Sequence, residues 1–258
     1  MDPRWRPLIE RPDRSAVLLD FDGSLSPIVD DPATASVLPE GREALARLAG
    51  SLARVAVISG RPVDYLVDAL GLPGVLYSGQ YGLERIQDGR PWVDPRVGPY
   101  VAAVRSAADE AERALPGVLV ERKGEVAVAL HWRTRPERAE EATRVGEELA
   151  GRHGLAAHPG RMVLELRPPV TVDKGTAVES LLDGLERAAF AGDDRGDLAA
   201  FDALDRLRSA GRLTDALRVG VRSSEAPPEL LARADVVVDG PAGLAVELAA
   251  VADALERG

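Results

Sequence analysis

The chain has 258 residues, 45% hydrophobic and 29% charged, and its 32 Lys and Arg against 42 Asp and Glu give a formal net charge of -10. This is the balance of a globular chain that buries a sizeable core, as one large domain or as a core carrying a second small one. The absence of cysteine excludes disulfides, thiolate nucleophiles and sulfur-bound metals, and the negative charge opposes nucleic acid and anionic membranes as partners.

The first fifteen residues, MDPRWRPLIERPDRS, are mixed in charge and lack an apolar leader, and no run reaches the roughly 20 apolar residues of a membrane span, so a cytoplasmic protein is expected. Residues 16–19 (Ala-Val-Leu-Leu) then form a short apolar run ending at Asp20, the signature of a strand buried on both faces of a parallel sheet. Similar runs recur at 55–58, 74–77, 188–191, 218–221 and 235–238. Amphipathic helix patterns lie at 39–48, 62–70, 174–185, 197–208, 228–233 and 243–256. Alternation of strand and helix predicts an α/β core with a doubly wound, mainly parallel sheet.

The middle of the chain reads differently. Residues 118–121 and 125–132 flank Lys123-Gly124, residues 155–158 and 162–166 flank Pro159-Gly160, and helical patterns at 99–115 and 136–152 precede the two pairs. These are hairpin signals, and they predict a smaller αββαββ unit with an antiparallel sheet. The expected organisation is core at 1–84, inserted domain at 85–167 and core again at 168–258.

Four short segments sit where predicted strands meet helices: Asp20-Phe21-Asp22-Gly23-Ser24, Ser59-Gly60-Arg61, Lys174-Gly175, and Gly192-Asp193-Asp194 followed by Asp197. Each alone is commonly a turn or a helix start. In an open α/β sheet, however, ligands bind at the carboxyl ends of the strands, where these segments would converge. Clustered carboxylates repel one another, and a hard divalent cation such as Mg2+ keeps them ionised together. Asp20 would then be the nucleophile toward phosphorus and Asp22 the acid that protonates the leaving alkoxide and afterwards deprotonates water. Ser59 and Gly60 offer a hydroxyl and N–H groups to phosphate, and Lys174 adds positive charge where phosphoryl oxygens are negative.

In order and context these motifs resemble the haloacid dehalogenase-like phosphatases. The longer string Asp20-Phe21-Asp22-Gly23-Ser24-Leu25-Ser26-Pro27-Ile28 is similar to the trehalose-phosphatase family. So are Glu121-x-Lys123, His131-Trp132-Arg133, and the segment from Val163 through Glu165 to Pro168 that leads to Lys174. The resemblance implies a haloacid dehalogenase-like core with an α/β cap that closes over substrate. It also implies hydrolysis of trehalose 6-phosphate to trehalose and phosphate, with Mg2+ held by Asp20, Asp22 and Asp193, and Asp194 or Asp197 assisting. Glu121, Lys123 and Glu165 would bind sugar hydroxyls and Arg61 would contact substrate. His131 reads as structural, and His153 and His158 carry no site signal.

Two positions depart from that family's usual pattern: Tyr81 stands where a histidine is usual, and Leu198 where a glutamate is usual. The rival readings are a phosphatase for another sugar phosphate such as sucrose 6-phosphate, a phosphomutase, and a non-catalytic phosphoacceptor or sugar-phosphate sensor. The expected partner is a small-molecule sugar phosphate; oligomeric state leaves no readable trace.

Overall fold

A computed structural model describes residues 1–29, 34–87, 89–160, 162–223 and 226–257. The chain divides into two compact units, Met1–Trp92 with Val172–Gly258, and Val93–Thr171.

The strands are β1 (Ser15–Leu19), β2 (Arg54–Ile58), β3 (Val75–Gly79), β4 (Glu84–Gln87), β5 (Arg90–Val93), β6 (Leu119–Lys123), β7 (Ala127–His131), β8 (Ala156–Gly160), β9 (Val163–Arg167), β10 (Arg187–Gly192), β11 (Asp215–Arg222) and β12 (Val236–Asp239). The helices are α1 (Arg6–Glu10), α2 (Pro39–Ser51), α3 (Val63–Leu70), α4 (Val101–Ala114), α5 (Ala139–His153), α6 (Lys174–Leu181), α7 (Leu198–Ser209), α8 (Pro228–Arg233) and α9 (Gly240–Arg257).

In the larger unit, eight strands run in the order β12-β11-β10-β1-β2-β3-β4-β5. The six from β12 to β3 are parallel, and β4 joins β3 antiparallel. The sheet is apolar on both faces because alternate residues of each strand enter different clusters. Val17, Leu19, Val55 and Val57 pack with Leu45 and Leu48 of α2, Leu66 of α3 and Leu248 of α9. Ala16, Leu18, Ala56, Ile58 and Phe190 pack with Val178 of α6, Phe201 and Leu204 of α7 and Leu230 of α8. The doubly wound, mainly parallel core expected from the sequence is therefore present. Strand order reverses between β10 and β1, which opens a crevice beyond their carboxyl ends.

The smaller unit is an αββαββ arrangement with sheet order β6-β7-β9-β8, every neighbouring pair antiparallel. Val128, Leu130, Leu164 and Leu166 face Val104, Ala107 and Ala111 of α4 and Ala142 and Leu149 of α5.

The sequence places the insertion at 85–167, whereas this unit starts at Val93. The difference lies in β4 and β5, two short strands with few apolar residues and a proline, which extend the large sheet. The second hairpin turn also falls later than Pro159-Gly160: β8 runs through Gly160, and Met162 carries the positive φ of 61°.

Phe190 and Phe201 are fully buried and meet edge to face, with ring centroids 6.3 Å apart at 85°. Phe190→Ala should destabilise the larger unit by about 3–5 kcal/mol in urea unfolding, because the space cannot collapse between sheet and helix. A loss under about 1 kcal/mol would contradict this packing.

Candidate active site

Asp20 follows β1 directly, and its N–H donates to the Ala191 carbonyl of β10 at 2.9 Å, so the parallel pairing carries one residue past the strand and fixes where the carboxylate emerges. Lys174, the first residue of α6, sends its ammonium between two carboxylates, Nζ lying 2.6 Å from Asp20 Oδ1 and 2.6 Å from Asp197 Oδ1. All three side chains are buried. The remaining oxygen of Asp197 accepts the N–H groups of Asp193 at 2.9 Å and Asp194 at 3.0 Å, so Asp197 binds the turn after β10 to the lysine. Asp194 reciprocates, accepting the Asp197 N–H at 3.1 Å and capping the short helical turn there.

Gly23 is the position where this geometry admits no side chain. Its φ is +81°, and a Cβ there would lie 2.1 Å from Oδ2 of Asp193. The glycine after Asp22 thus lets the β1 loop close onto the carboxylate of Asp193, just past β10.

Asp20, Asp193 and Asp197 can each direct a carboxylate oxygen so that the three lie within 4.8 Å of one another. Burial pushes Asp20 up to about 7, a rise that Lys174 counters and that the charges of Asp194 and Asp193 reinforce. Burial likewise pushes Asp193 up to about 6, against the hydrogen bond from Ser223. Burial alone would discharge Lys174, but the charges of Asp197 and Asp20 outweigh it and hold the ammonium well above the usual lysine range. Hard oxygen donors, buried together and only partly neutralised by one lysine, suit a divalent cation with oxygen chemistry. Asp22 lies outside this cluster: its carboxylate accepts from Arg61, Nε to Oδ2 at 2.9 Å and Nη2 to Oδ1 at 2.7 Å.

Ser59 directly follows β2, and its hydroxyl accepts the Arg61 N–H at 3.1 Å, forming the turn that also presents Gly60. Neighbouring backbone fixes this turn: Ser59 N–H to the Ser78 carbonyl at 2.9 Å, Gln80 N–H to the Arg61 carbonyl at 3.0 Å, and Tyr81 N–H to the Ser59 carbonyl at 3.0 Å. Glu84, buried, accepts the Val63 N–H at 2.6 Å and caps α3 behind it. Tyr81 packs its ring on Gly60, where a Cβ would come within 2.7 Å of the phenol oxygen. Leu198 packs against the apolar cluster under α6 and α7, with no acceptor to offer.

In the smaller unit, Glu121 and Lys123 of β6, His131 of β7, His158 of β8, and Glu165 and Arg167 of β9 share the sheet face opposite the apolar cluster. The register aligns Glu121, Ala129, Glu165 and His158 in one row across the four strands. Lys123 Nζ donates to Glu165 Oε1 at 3.0 Å, and His131 Nε2 lies 2.7 Å from Glu121 Oε2. His158 Nδ1 lies 3.1 Å from Arg167 Nη2, and burial together with Arg167 pushes this histidine below its usual range. The three residues expected to read sugar thus lie on one polar face, and Arg61, the fourth, belongs to the larger unit.

Sequence reasoning missed Ser223 and Ser24. The Ser223 hydroxyl, just past β11, donates to Asp193 Oδ2 at 2.6 Å, and Ser24 approaches Oδ1 at 3.4 Å. Position at a strand end in the crevice was the available signal for Ser223. Among the described residues no helix is long and apolar enough to cross a membrane.

A doubly wound sheet with carboxylates after its central strand, an insertion between its halves, and a buried lysine beside those carboxylates define a haloacid dehalogenase-like protein. A family model described as trehalose-phosphatase matches residues 18–232. The chain belongs to the trehalose-phosphatase family. Among curated relatives, the trehalose-phosphate phosphatase of Mycobacterium tuberculosis (strain ATCC 25618 / H37Rv) is 38% identical over 206 residues, covering 73% of this chain and 51% of its own. That of Mycobacterium avium (strain 104) is 35% identical over 260 residues, covering 94% and 63%. The chain spans about half the length of the first of these relatives. In fold it is similar to a solved trehalose-6-phosphate phosphatase related protein, with TM-score 0.78 and 22% identity over 94% of this chain and 100% of that one. The C-terminal domain of the Candida albicans trehalose-6-phosphate phosphatase gives 0.71 and 23% over 96% of each.

The raised folded-state values of Asp20 and Asp193 have a definite sign. Relative to the unfolded chain, both favour the protonated form, so their contribution to stability is complete at low pH and is lost as pH rises through about 6 for Asp193 and about 7 for Asp20. The melting-temperature gain on adding magnesium chloride, against sodium chloride of equal ionic strength, should therefore grow across that range. A gain independent of pH would contradict the assignment of these carboxylates to the cation. Ser223→Ala should weaken cation binding by about tenfold in the same titration by freeing the Asp193 carboxylate to turn.

Proposed function

We propose that the protein is a phosphomonoesterase that hydrolyses trehalose 6-phosphate to trehalose and phosphate through a phosphoryl-Asp20 intermediate. The observation that carries this reading is the Asp20 carboxylate itself, buried, aligned by the β1–β10 pairing and held 2.6 Å from the Lys174 ammonium. An aspartate so fixed is positioned to attack phosphorus, and Lys174 opposes the negative charge on the phosphoryl oxygens during transfer. Ser59 and Gly60 hold those oxygens from the rigid turn after β2.

Asp22 gives its proton to the leaving sugar oxygen as the O–P bond breaks and takes one from the water that then attacks the phosphorylated Asp20. Asp20, Asp22 and Asp193 would hold Mg2+. Bound there, Mg2+ would offset the repulsion among the carboxylates and the charge of the incoming phosphate. Asp197 remains the bridge between Lys174 and the turn after β10, since both its oxygens already accept hydrogen bonds.

Glu121, Lys123 and Glu165 supply the sugar recognition. Two carboxylates and an ammonium on β6 and β9, which flank β7, can accept from vicinal hydroxyls and donate to ring oxygens, and the Lys123–Glu165 pair holds two of these side chains together. The family relationship favours trehalose 6-phosphate over other sugar phosphates.

Phosphate release from trehalose 6-phosphate, sucrose 6-phosphate, glucose 6-phosphate and p-nitrophenyl phosphate, with magnesium and with EDTA, tests this reading. A metal-dependent preference for trehalose 6-phosphate is expected. Metal-dependent turnover without that preference would remove the recognition role of Glu121, Lys123 and Glu165, and no turnover would overturn the whole reading. Asp20→Asn should lower turnover by about 10⁴-fold or more while leaving the melting transition cooperative. Asp22→Asn should spare p-nitrophenyl phosphate, whose leaving group needs no proton, far more than it spares the sugar phosphate.

A further inference from the structure

The Arg61 guanidinium grips both oxygens of Asp22, a two-pronged fork of 2.9 and 2.7 Å. It is also held from behind. Its Cζ lies 4.5 Å from the centroid of the Tyr65 ring, which meets Phe21 edge to face at 5.8 Å, and the Tyr65 hydroxyl donates to the Ala35 carbonyl at 3.0 Å. The Arg61 main chain is fixed at both ends, its N–H on the Ser59 hydroxyl and its carbonyl on the Gln80 N–H. The arginine side chain is 19% exposed and that of Asp22 41%. The cation is therefore the fixed partner and the carboxylate the one with room to leave.

We propose that Arg61 is an exchange residue: it holds Asp22 aside in the free protein and releases it when the phosphate of a substrate takes the guanidinium. The inference rests on the reading of Asp22 as the acid and base of the reaction. A carboxylate whose two oxygens both accept from one guanidinium has no oxygen directed at a leaving group or a water, so Asp22 can move a proton only once the fork has opened. Phosphate fits the same fork as a carboxylate, and Arg61 lies two residues beyond Ser59, in the turn that presents phosphate-binding groups. While a phosphoryl group occupies the site, as bound ester and then on Asp20, Arg61 stays engaged and Asp22 is free for both proton transfers. When phosphate leaves, Arg61 recaptures Asp22. Arrival of the ligand and availability of the acid are thereby coupled through one side chain, with Tyr65 as its ledge.

The test is a double-mutant cycle on binding of inorganic phosphate, measured by calorimetry on the full chain at saturating magnesium chloride. With Arg61 present, Asp22→Asn removes the competitor and should tighten phosphate by about tenfold; in the Arg61→Met background the same substitution should change affinity by less than about twofold. Arg61→Lys, which keeps the charge without the fork, should lose most of this coupling, and it stands in should Arg61→Met fail to fold. Equal tightening in both backgrounds would mean that Asp22 acts on phosphate by charge alone and would overturn the exchange. So would weaker phosphate binding in Asp22→Asn. If the unmodified protein hydrolyses sugar phosphates with the Asp22 dependence described above but shows no coupling, only the exchange fails. If it neither binds phosphate nor turns over, the reading of the site fails with it.

Discussion

The lysine shared between Asp20 and Asp197 is the interaction on which the site depends. Lys174 opens α6, where the partial positive charge of a helix N-terminus disfavours an ammonium, and burial disfavours it again. Two carboxylates at 2.6 Å reverse both penalties. In turn, Asp20 and Asp197 are tolerated inside the protein because the ammonium lies between them. The loop after β1, the turn after β10 and the first turn of α6 are thus fixed by one three-membered network, and loss of Lys174 would leave two buried carboxylates without their counter-ion, which costs about 3–5 kcal/mol.

Around that network the fold separates rigidity from reactivity. Asp197, saturated by the lysine and two main-chain N–H groups, holds the geometry. Burial pushes Asp20, Asp193 and Asp197 alike above the usual carboxylate range, so what sets Asp197 apart is that both its oxygens already accept hydrogen bonds from the lysine and the main chain. This division explains how three neighbouring aspartates, chemically identical in the unfolded chain, acquire different capacities. The turn after β2 is supported from outside the network, by Tyr81 on Gly60 and Glu84 on the start of α3. Tyr81 in place of the histidine usual in the family therefore has a packing role of its own.

Much of this was legible in the sequence because it follows from short-range rules. Continuous apolar runs marked strands covered on both faces, and residues immediately after them had to emerge at one edge of the sheet, which is why Asp20, Ser59 and Asp193 were found together. The hairpins around Lys123-Gly124 and before Glu165 set a register that puts Glu121, Lys123 and Glu165 on one face. What escaped depended on partners distant in sequence. Ser223 is a lone serine until β11 brings it to Asp193, and β4 and β5 are too short and polar to announce themselves. The hold of Arg61 on Asp22 required knowing where α3 places the Tyr65 ring. Hydrogen-bond partners brought from other elements also decided which aspartates remain available, and spacing alone does not encode them.

The central claim, that Asp20 carries the phosphoryl group, is tested most directly by acid quench during turnover of trehalose 6-phosphate, followed by borohydride reduction and peptide mass mapping. The account predicts homoserine at position 20, the product of reducing an aspartyl phosphate, and unmodified aspartate at 22, 193 and 197. Reduction at another aspartate, or none in protein quenched while releasing phosphate, would contradict it.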